Sequence, residues 1–419
     1  MKFRRATILI AAVLVVAWIV EAVRPTAAMP PFAQAYGMDC QVCHTVVPGL
    51  NAYGRYVQRT GYASLDPKTL ERADPIWIGE NPVYDSSVGP DVQWGNLAVH
   101  LAGALGTDFT YHGQEWLSNN GDGTLTDTLW ITYNNLLHRD GHLFVGKLEA
   151  PAPSPFSMWF DLAGFQTPSI TVGEHVWPFS SNRWGSKLAY THGWLNADVG
   201  YLGPSGEVNG TNGAGDWSST TEKTLQWHVA DALGYKPTEF GAYGGTGTFL
   251  TSDGQVDRYN GAAVYGEIDP THGWPGGYVI YQHGYDSHPG VNPNTGLAYN
   301  SATSTASTIE AYEPLFKNQV IVSYRYEYLN DGLGTQTHFP YVNVAWFASH
   351  HVSDRNANGL IVNFQSTINQ GSTPSWQGQI WYATTIVLTK RPHASMLRPS
   401  PFHSQVRPAA MRELGAPRD

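Results

Sequence analysis

From about Asp91 to Lys390 the chain runs in short stretches of alternating apolar and polar residues, broken by glycine, proline and asparagine. That is the period-two pattern of β-strands joined by turns. In Val322–Tyr328, Val322, Tyr324, Tyr326 and Tyr328 fall on one face, and Ser323, Arg325 and Glu327 on the other. Tyr341–Ala348 sets Val342, Val344 and Trp346 against Asn343, and Leu195–Tyr201 sets Leu195, Ala197, Val199 and Tyr201 against Asn196 and Asp198. Further strands are predicted over 92–102, 125–138, 142–149, 186–192, 224–231, 239–248, 259–267, 276–285, 308–328, 358–365 and 377–388, arranged as hairpins. At about 20 residues per strand and connection, the region holds roughly 14 to 16 strands, the size range of outer-membrane barrels.

The face that carries the aromatic and aliphatic side chains decides the environment. A greasy exterior around a polar lumen makes a transmembrane barrel, whereas a greasy interior makes a soluble β-sandwich or propeller. Alternation alone is compatible with both, but no repeat at a propeller-like period is present. Composition favours strands and turns: of 419 residues only 14% are charged, 13% are aromatic and 44 are glycine. The fold expected is all-β, an antiparallel transmembrane barrel over 91–389. Two stretches stand apart from it. Glu149–Thr171, with Phe156, Trp159 and Phe160, reads as a loop folded inward, and Gly203–Thr221 as an exposed polar loop.

Ahead of the strands, Lys2, Arg4 and Arg5 precede an apolar run, Ala6–Val20, and Thr26-Ala27-Ala28, the layout of an export signal over residues 1–28. No later segment is long and apolar enough for a spanning helix, so a bilayer location requires a barrel. Formal net charge is −10, and removal of the basic start makes it more negative. That balance argues against a nucleic-acid partner and favours attraction of cations. Residues 390–419 form a basic, proline-containing tail expected to be disordered.

The two cysteines of the chain stand in Cys40-Gln41-Val42-Cys43-His44. C-x-x-C-H is the attachment motif of c-type haem: each thiol adds to one vinyl group, and the adjacent histidine is held under the iron. A structural disulfide, a thioredoxin-like pair and half a zinc site are the alternatives. No βαβ pattern surrounds the pair, and no second cysteine pair completes a zinc site. One covalent haem is therefore expected, bound through Cys40 and Cys43 with His44 as proximal iron ligand. Leu50, Tyr53, Gly54 and Val57 have helical spacing, and Gly61 is placed to end the helix. Arg55 and Arg59 on this helix are candidates for pairing with haem propionates. The distal ligand is open among Met38, His100, His112, His192, His228, His283 or no side chain at all. The haem segment, 29–65, is too small to build its own core and must lean on the sheet, to which 66–90 is expected to link it.

Phe32-Ala33, Tyr36-Gly37-Met38, Cys40–His44, Leu50-Asn51-Ala52-Tyr53-Gly54-Arg55 and Gly61-Tyr62 together resemble the outer-membrane fused monohaem cytochrome-porins of iron-oxidising bacteria. About thirty residues carry the likeness in detail, and the remainder shares only the layout. The chain departs from the usual barrel end by continuing past Leu388. The resemblance implies an iron:cytochrome c oxidoreductase of the outer membrane. Extracellular Fe(II), or another reductant, would give electrons to the haem, and a periplasmic c-type cytochrome would receive them. Glu310, Glu313 and Glu327 are candidate lumen or loop groups for attracting the cation. A haem-bearing outer-membrane channel and a soluble periplasmic β-rich cytochrome are the alternative functions.

Overall fold

The computed structural model describes residues 42–46, 49–71, 76–85, 92–119, 125–153, 165–193, 195–204, 221–231, 238–270, 274–316, 319–347 and 356–387, with Phe32 and Tyr36. The signal region, Met38, Cys40, the three aromatics Phe156, Trp159 and Phe160, most of the polar loop 203–221 and the basic tail lie outside the described residues.

A short hairpin, β1 (His44–Val46) and β2 (Gly49–Leu50), and two helices, α1 (Ala52–Arg59) and α2 (Pro67–Leu70), precede the sheet. Then come β3 (Ile76–Asp85), β4 (Val92–Leu105), β5 (Phe109–Asn119), β6 (Leu125–Leu136) and β7 (Gly141–Leu148). A small inserted hairpin, β8 (Thr171–Val172) and β9 (His175–Val176), separates these from β10 (Arg183–His192), β11 (Leu195–Leu202), β12 (Lys223–Asp231), β13 (Thr238–Leu250) and β14 (Val256–Ile268). The series ends with β15 (Gly276–Asp286), β16 (Ala302–Leu315), β17 (Val320–Asn330), β18 (Gln336–Phe347), β19 (Asn356–Asn369) and β20 (Ser375–Val387). Without β1, β2, β8 and β9 these make a sixteen-stranded antiparallel barrel, closed where β20 pairs with β3.

Three sequence expectations are corrected. The linker 66–90 contains α2 and the first barrel strand, β3. Its pairing with β4 shifts register at Asn81/Pro82, and both the shift and the proline disguise a strand. β5 is a strand that the alternation does not mark, and its pairing with β4 carries an extra residue at Leu117. The run 308–328 is two strands, β16 and β17, which reverse direction over 316–319 without a glycine.

Burial is inverted relative to a soluble protein. Val264, Ile309 and Tyr201 are 60%, 56% and 59% exposed on the outer face, beside Val322, Tyr324, Val342, Val344 and Trp346. Inward positions carry Thr224, Gln226, Ser323, Arg325, Glu327, Asn343 and Asn363, all buried. The polar groups face each other inside, and the apolar ones need a non-aqueous surround. This arrangement rules out the soluble cytochrome alternative.

The two rims differ. One carries the tight connections 106–108, 137–140 and 193–194, and the other the long ones 149–182, 203–222 and 287–301. The chain enters β3 from the short-turn rim, so α1 and α2 reach the lumen from that side.

Candidate functional site

The segment that carries Cys43 and His44 is lodged inside the barrel. Asn51 organises it. Its side-chain oxygen accepts from the Gly54 amide (3.0 Å) and caps α1, while its side-chain nitrogen donates to the Val42 carbonyl (3.2 Å) and its backbone amide to that of Cys43 (3.0 Å). The helix is thus tied to Val42 and Cys43. Their approach is so close that a Cβ at Gly54 would stand 2.0 Å from the Cys43 carbonyl oxygen, which excludes any larger residue. After α1 the chain turns through Gly61 (φ 54°) and Tyr62 (φ 68°). The left-handed conformation is strained for tyrosine. It is held by the Tyr62 hydroxyl against His112 Nδ1 (2.9 Å) and by ring packing on Phe32 and Trp130.

Four ionic contacts fix α1 to the wall. Arg55 Nη1 lies 2.9 Å from Glu267 Oε1 and 3.0 Å from Asp269 Oδ1, and Arg55 Nε lies 3.3 Å from Glu239 Oε2. Arg59 forks onto Glu239 at 2.5 and 2.7 Å. The Ala52 amide, at the positive end of the helix, donates to Asp269 Oδ2 (3.0 Å). Arg55 and Arg59, the candidates for propionate contacts, both line the cavity beside this helix, and their guanidinium groups are also paired with wall carboxylates, which makes them anchors of α1. Nothing in the sequence marked Glu239, Glu267 and Asp269, because they belong to hairpin ends far along the chain.

Between this segment and the wall lies a cavity of about 520 Å³, within the range of small-molecule and cofactor sites. Cys43, His44, Leu50, Val57 and Tyr62 line it from the segment, and Trp130, Phe144, Leu148, His112 and His228 from the barrel. Rings and aliphatic groups share this lining with charged ones, among them Arg55, Arg59, Asp127, Glu149, Lys187 and Asp198. A chamber of this mixed kind, onto which the thiol and adjacent imidazole of C-x-x-C-H open, suits a porphyrin with its apolar ring and charged propionates, and Cys43 and His44 would hold it. Of the histidines considered for the opposite iron face, only His112 and His228 border this cavity. His100 is stacked on Trp77 (4.9 Å) and lies elsewhere. His192 is exposed at the short-turn rim beside Asp140 (2.9 Å), and His283 is on the outer face, so strand parity removes both.

Glu149 and Gln58 close one side of the cavity, joined by a hydrogen bond of 2.7 Å. Burial, only partly offset by Lys187, pushes the Glu149 carboxyl up to about 7. Because the folded chain holds this proton more tightly than the unfolded one, its contribution to stability is full below the ordinary carboxylate pKa and is lost as pH rises toward 7. Limited proteolysis near α1 should therefore accelerate between about pH 4.5 and 7. Glu149→Gln should flatten that difference, and an equal slope in both proteins would contradict the assignment.

The candidate cation groups are also placed. Glu310 and Glu327 are buried inside, Glu327 3.1 Å from Arg325 Nε, whereas Glu313 is exposed on the outward face. The loop predicted to fold inward does so in its described part. Phe165, Thr167 and Ile170 are buried and the Thr167 amide donates to Glu327 (2.7 Å), while Trp177 and Phe179, just beyond the predicted bounds, are fully buried as well.

The barrel is similar to outer-membrane porins of known structure. OmpT of Vibrio cholerae lacking loop L8 has a TM-score of 0.50 and 13% identity, over 74% of this chain and 97% of its own. An anion-selective porin from Comamonas acidovorans gives the same score and identity, over 74% of this chain and 98% of its own. These likenesses establish the porin-type fold. No family model matches the chain, and no characterised protein matches it by sequence.

Proposed function

We propose that the chain is an outer-membrane electron-transfer protein that takes electrons from extracellular Fe(II) and delivers them, through one covalent haem c, to a periplasmic cytochrome. The observation that carries this reading is the meeting of Cys43 and His44 with a buried, ring-lined cavity inside a barrel whose outer surface is apolar. Cys40 and Cys43 would hold the haem and His44 would ligate its iron, with His112 or His228 available on the wall. The haem supplies a one-electron centre.

The protein's own residues shape everything around it. Tight turns face the periplasm in barrels of this type and long loops face outward, which puts α1 and the cavity toward the periplasmic side. The thickness of the membrane then has to be crossed from the long-loop side. Rings in succession cover part of that distance: Trp177 and Phe179 (5.5 Å between centroids), Phe179 and Tyr243 (5.2 Å), Tyr243 and Tyr265 (6.4 Å), and Tyr265 and His228 (6.0 Å). His228 borders the cavity. The segment and the inward loop both occupy the lumen, which favours electron passage over solute passage.

A haem-bearing channel is the second reading, supported by the porin-type fold. Stopped-flow mixing of the oxidised protein with Fe(II) separates the two. Reduced haem bands should appear at the host's working pH, and their absence would remove iron as donor.

A further inference from the structure

The long-loop half of the lumen holds a second group of chemistry-bearing side chains, apart from the cavity. His175 on β9, Asp257 at the start of β14 and Asp286 at the end of β15 are fully buried, and one donor atom from each lies within 4.8 Å of the others. The inward loop supplies the imidazole and the barrel wall the carboxylates. Beside them Glu222 stands 3.7 Å from His175 Nε2 and pairs with Arg183 at 2.8 Å. Three carboxylates thus share one guanidinium and one imidazole.

The hydrogen bonds present do not use up these groups. Asp257 Oδ1 accepts from Ser287 Oγ (3.0 Å) and the His288 amide (2.6 Å), and Asp286 Oδ1 is bonded to His175 Nδ1. Asp257 Oδ2 and Asp286 Oδ2 are left buried without a hydrogen-bond partner, and His175 Nε2 faces the Glu222 carboxylate at 3.7 Å, beyond hydrogen-bond length. A buried anionic oxygen lacking a donor is costly, and two on neighbouring carboxylates are more so. A cation seated among the three donor atoms would satisfy both carboxylates. A donor set mixing imidazole nitrogen with carboxylate oxygen suits first-row divalent ions, whereas magnesium and calcium prefer oxygen alone.

We propose that His175, Asp257 and Asp286 bind one divalent first-row transition-metal ion, with Glu222 as adjoining counter-charge, and that this resident ion clamps the inward loop to the barrel wall. The clamp explains why a loop held there by a two-residue hairpin keeps Trp177 and Phe179 at fixed positions. It is independent of the haem reading, because no residue of the site borders the haem cavity.

The test uses the full chain in detergent, stripped with chelator and titrated with Mn(II) under electron paramagnetic resonance. One tight site per chain is expected, with pulsed spectra showing coupling to a directly bound imidazole nitrogen. Asp257→Asn combined with Asp286→Asn should weaken Mn(II) binding by more than about a hundredfold, since even groups that only support metal ligands are worth 10–100-fold. His175→Gln should remove the nitrogen coupling. Failure of the unaltered chain to bind Mn(II) or Zn(II), or binding without nitrogen coupling, would overturn the site and leave protonated His175 as the counter-cation. Because the nitrogen signal is read on the unaltered chain, the outcome does not depend on the variants folding.

Discussion

Serine in place of both Cys40 and Cys43 is expected to abolish covalent haem completely, read as loss of haem stain on a denaturing gel and loss of the haem mass from the intact chain. The hydroxyl cannot form the thioether, and the C-x-x-C-H spacing leaves no other thiol in the sequence to replace it. A single exchange should leave one tether and a weakened stain. Barrel assembly should survive both changes, because the wall closes through β3 and β20 and its second core, around Trp177, Tyr243 and Tyr259, lies apart from the motif. Heat-modifiable migration of the folded barrel is the control. Retention of covalent haem in the double variant would remove the basis for every redox statement made above.

Arg55→Leu is expected to release the lumen segment. The substitution leaves Glu267 and Asp269 without their guanidinium and Glu239 with Arg59 alone. Removing one partner of a buried ionic group costs about 3–5 kcal/mol, because the remaining charges stay desolvated. Burial already pushes the Asp269 carboxyl upward against the pull of Arg55, so loss of Arg55 would push it further. Two measurements read the effect: cleavage near α1 by added protease should become fast, and conductance of the barrel in a planar bilayer should rise. Arg55→Lys should rescue only in part, since an ammonium cannot reproduce the fork onto Asp269. Joining Arg55→Leu with Glu267→Gln and Asp269→Asn should restore much of the loss. Unchanged protease resistance and conductance in Arg55→Leu would show that the segment is held by its apolar contacts alone.

The sequence announces the barrel far better than its contents. Alternation in β11, β17 and β18 directly reports which side chains face outward, because strand parity has no exceptions where the pairing is regular. Parity fails at bulges such as Leu117 in β5, and a proline inside the run, as at Pro82 in β3, hides a strand as well. The haem motif and α1 were legible because they are local in sequence. The partners of α1 were not. Glu239, Glu267 and Asp269 look like ordinary rim acids until the hairpins bring them beneath one helix, and His112 and His228 differ from His192 and His283 only in where the strand places them. The cluster of His175, Asp257 and Asp286 is hidden for the same reason, since it joins a loop to two strand ends.

One feature of the connectivity governs how such a molecule comes together. The lumen segment runs directly into β3, the strand that must find β20 for the cylinder to close, and the segment has no core of its own. The first strand of the barrel therefore keeps one edge unpaired until the last strand arrives.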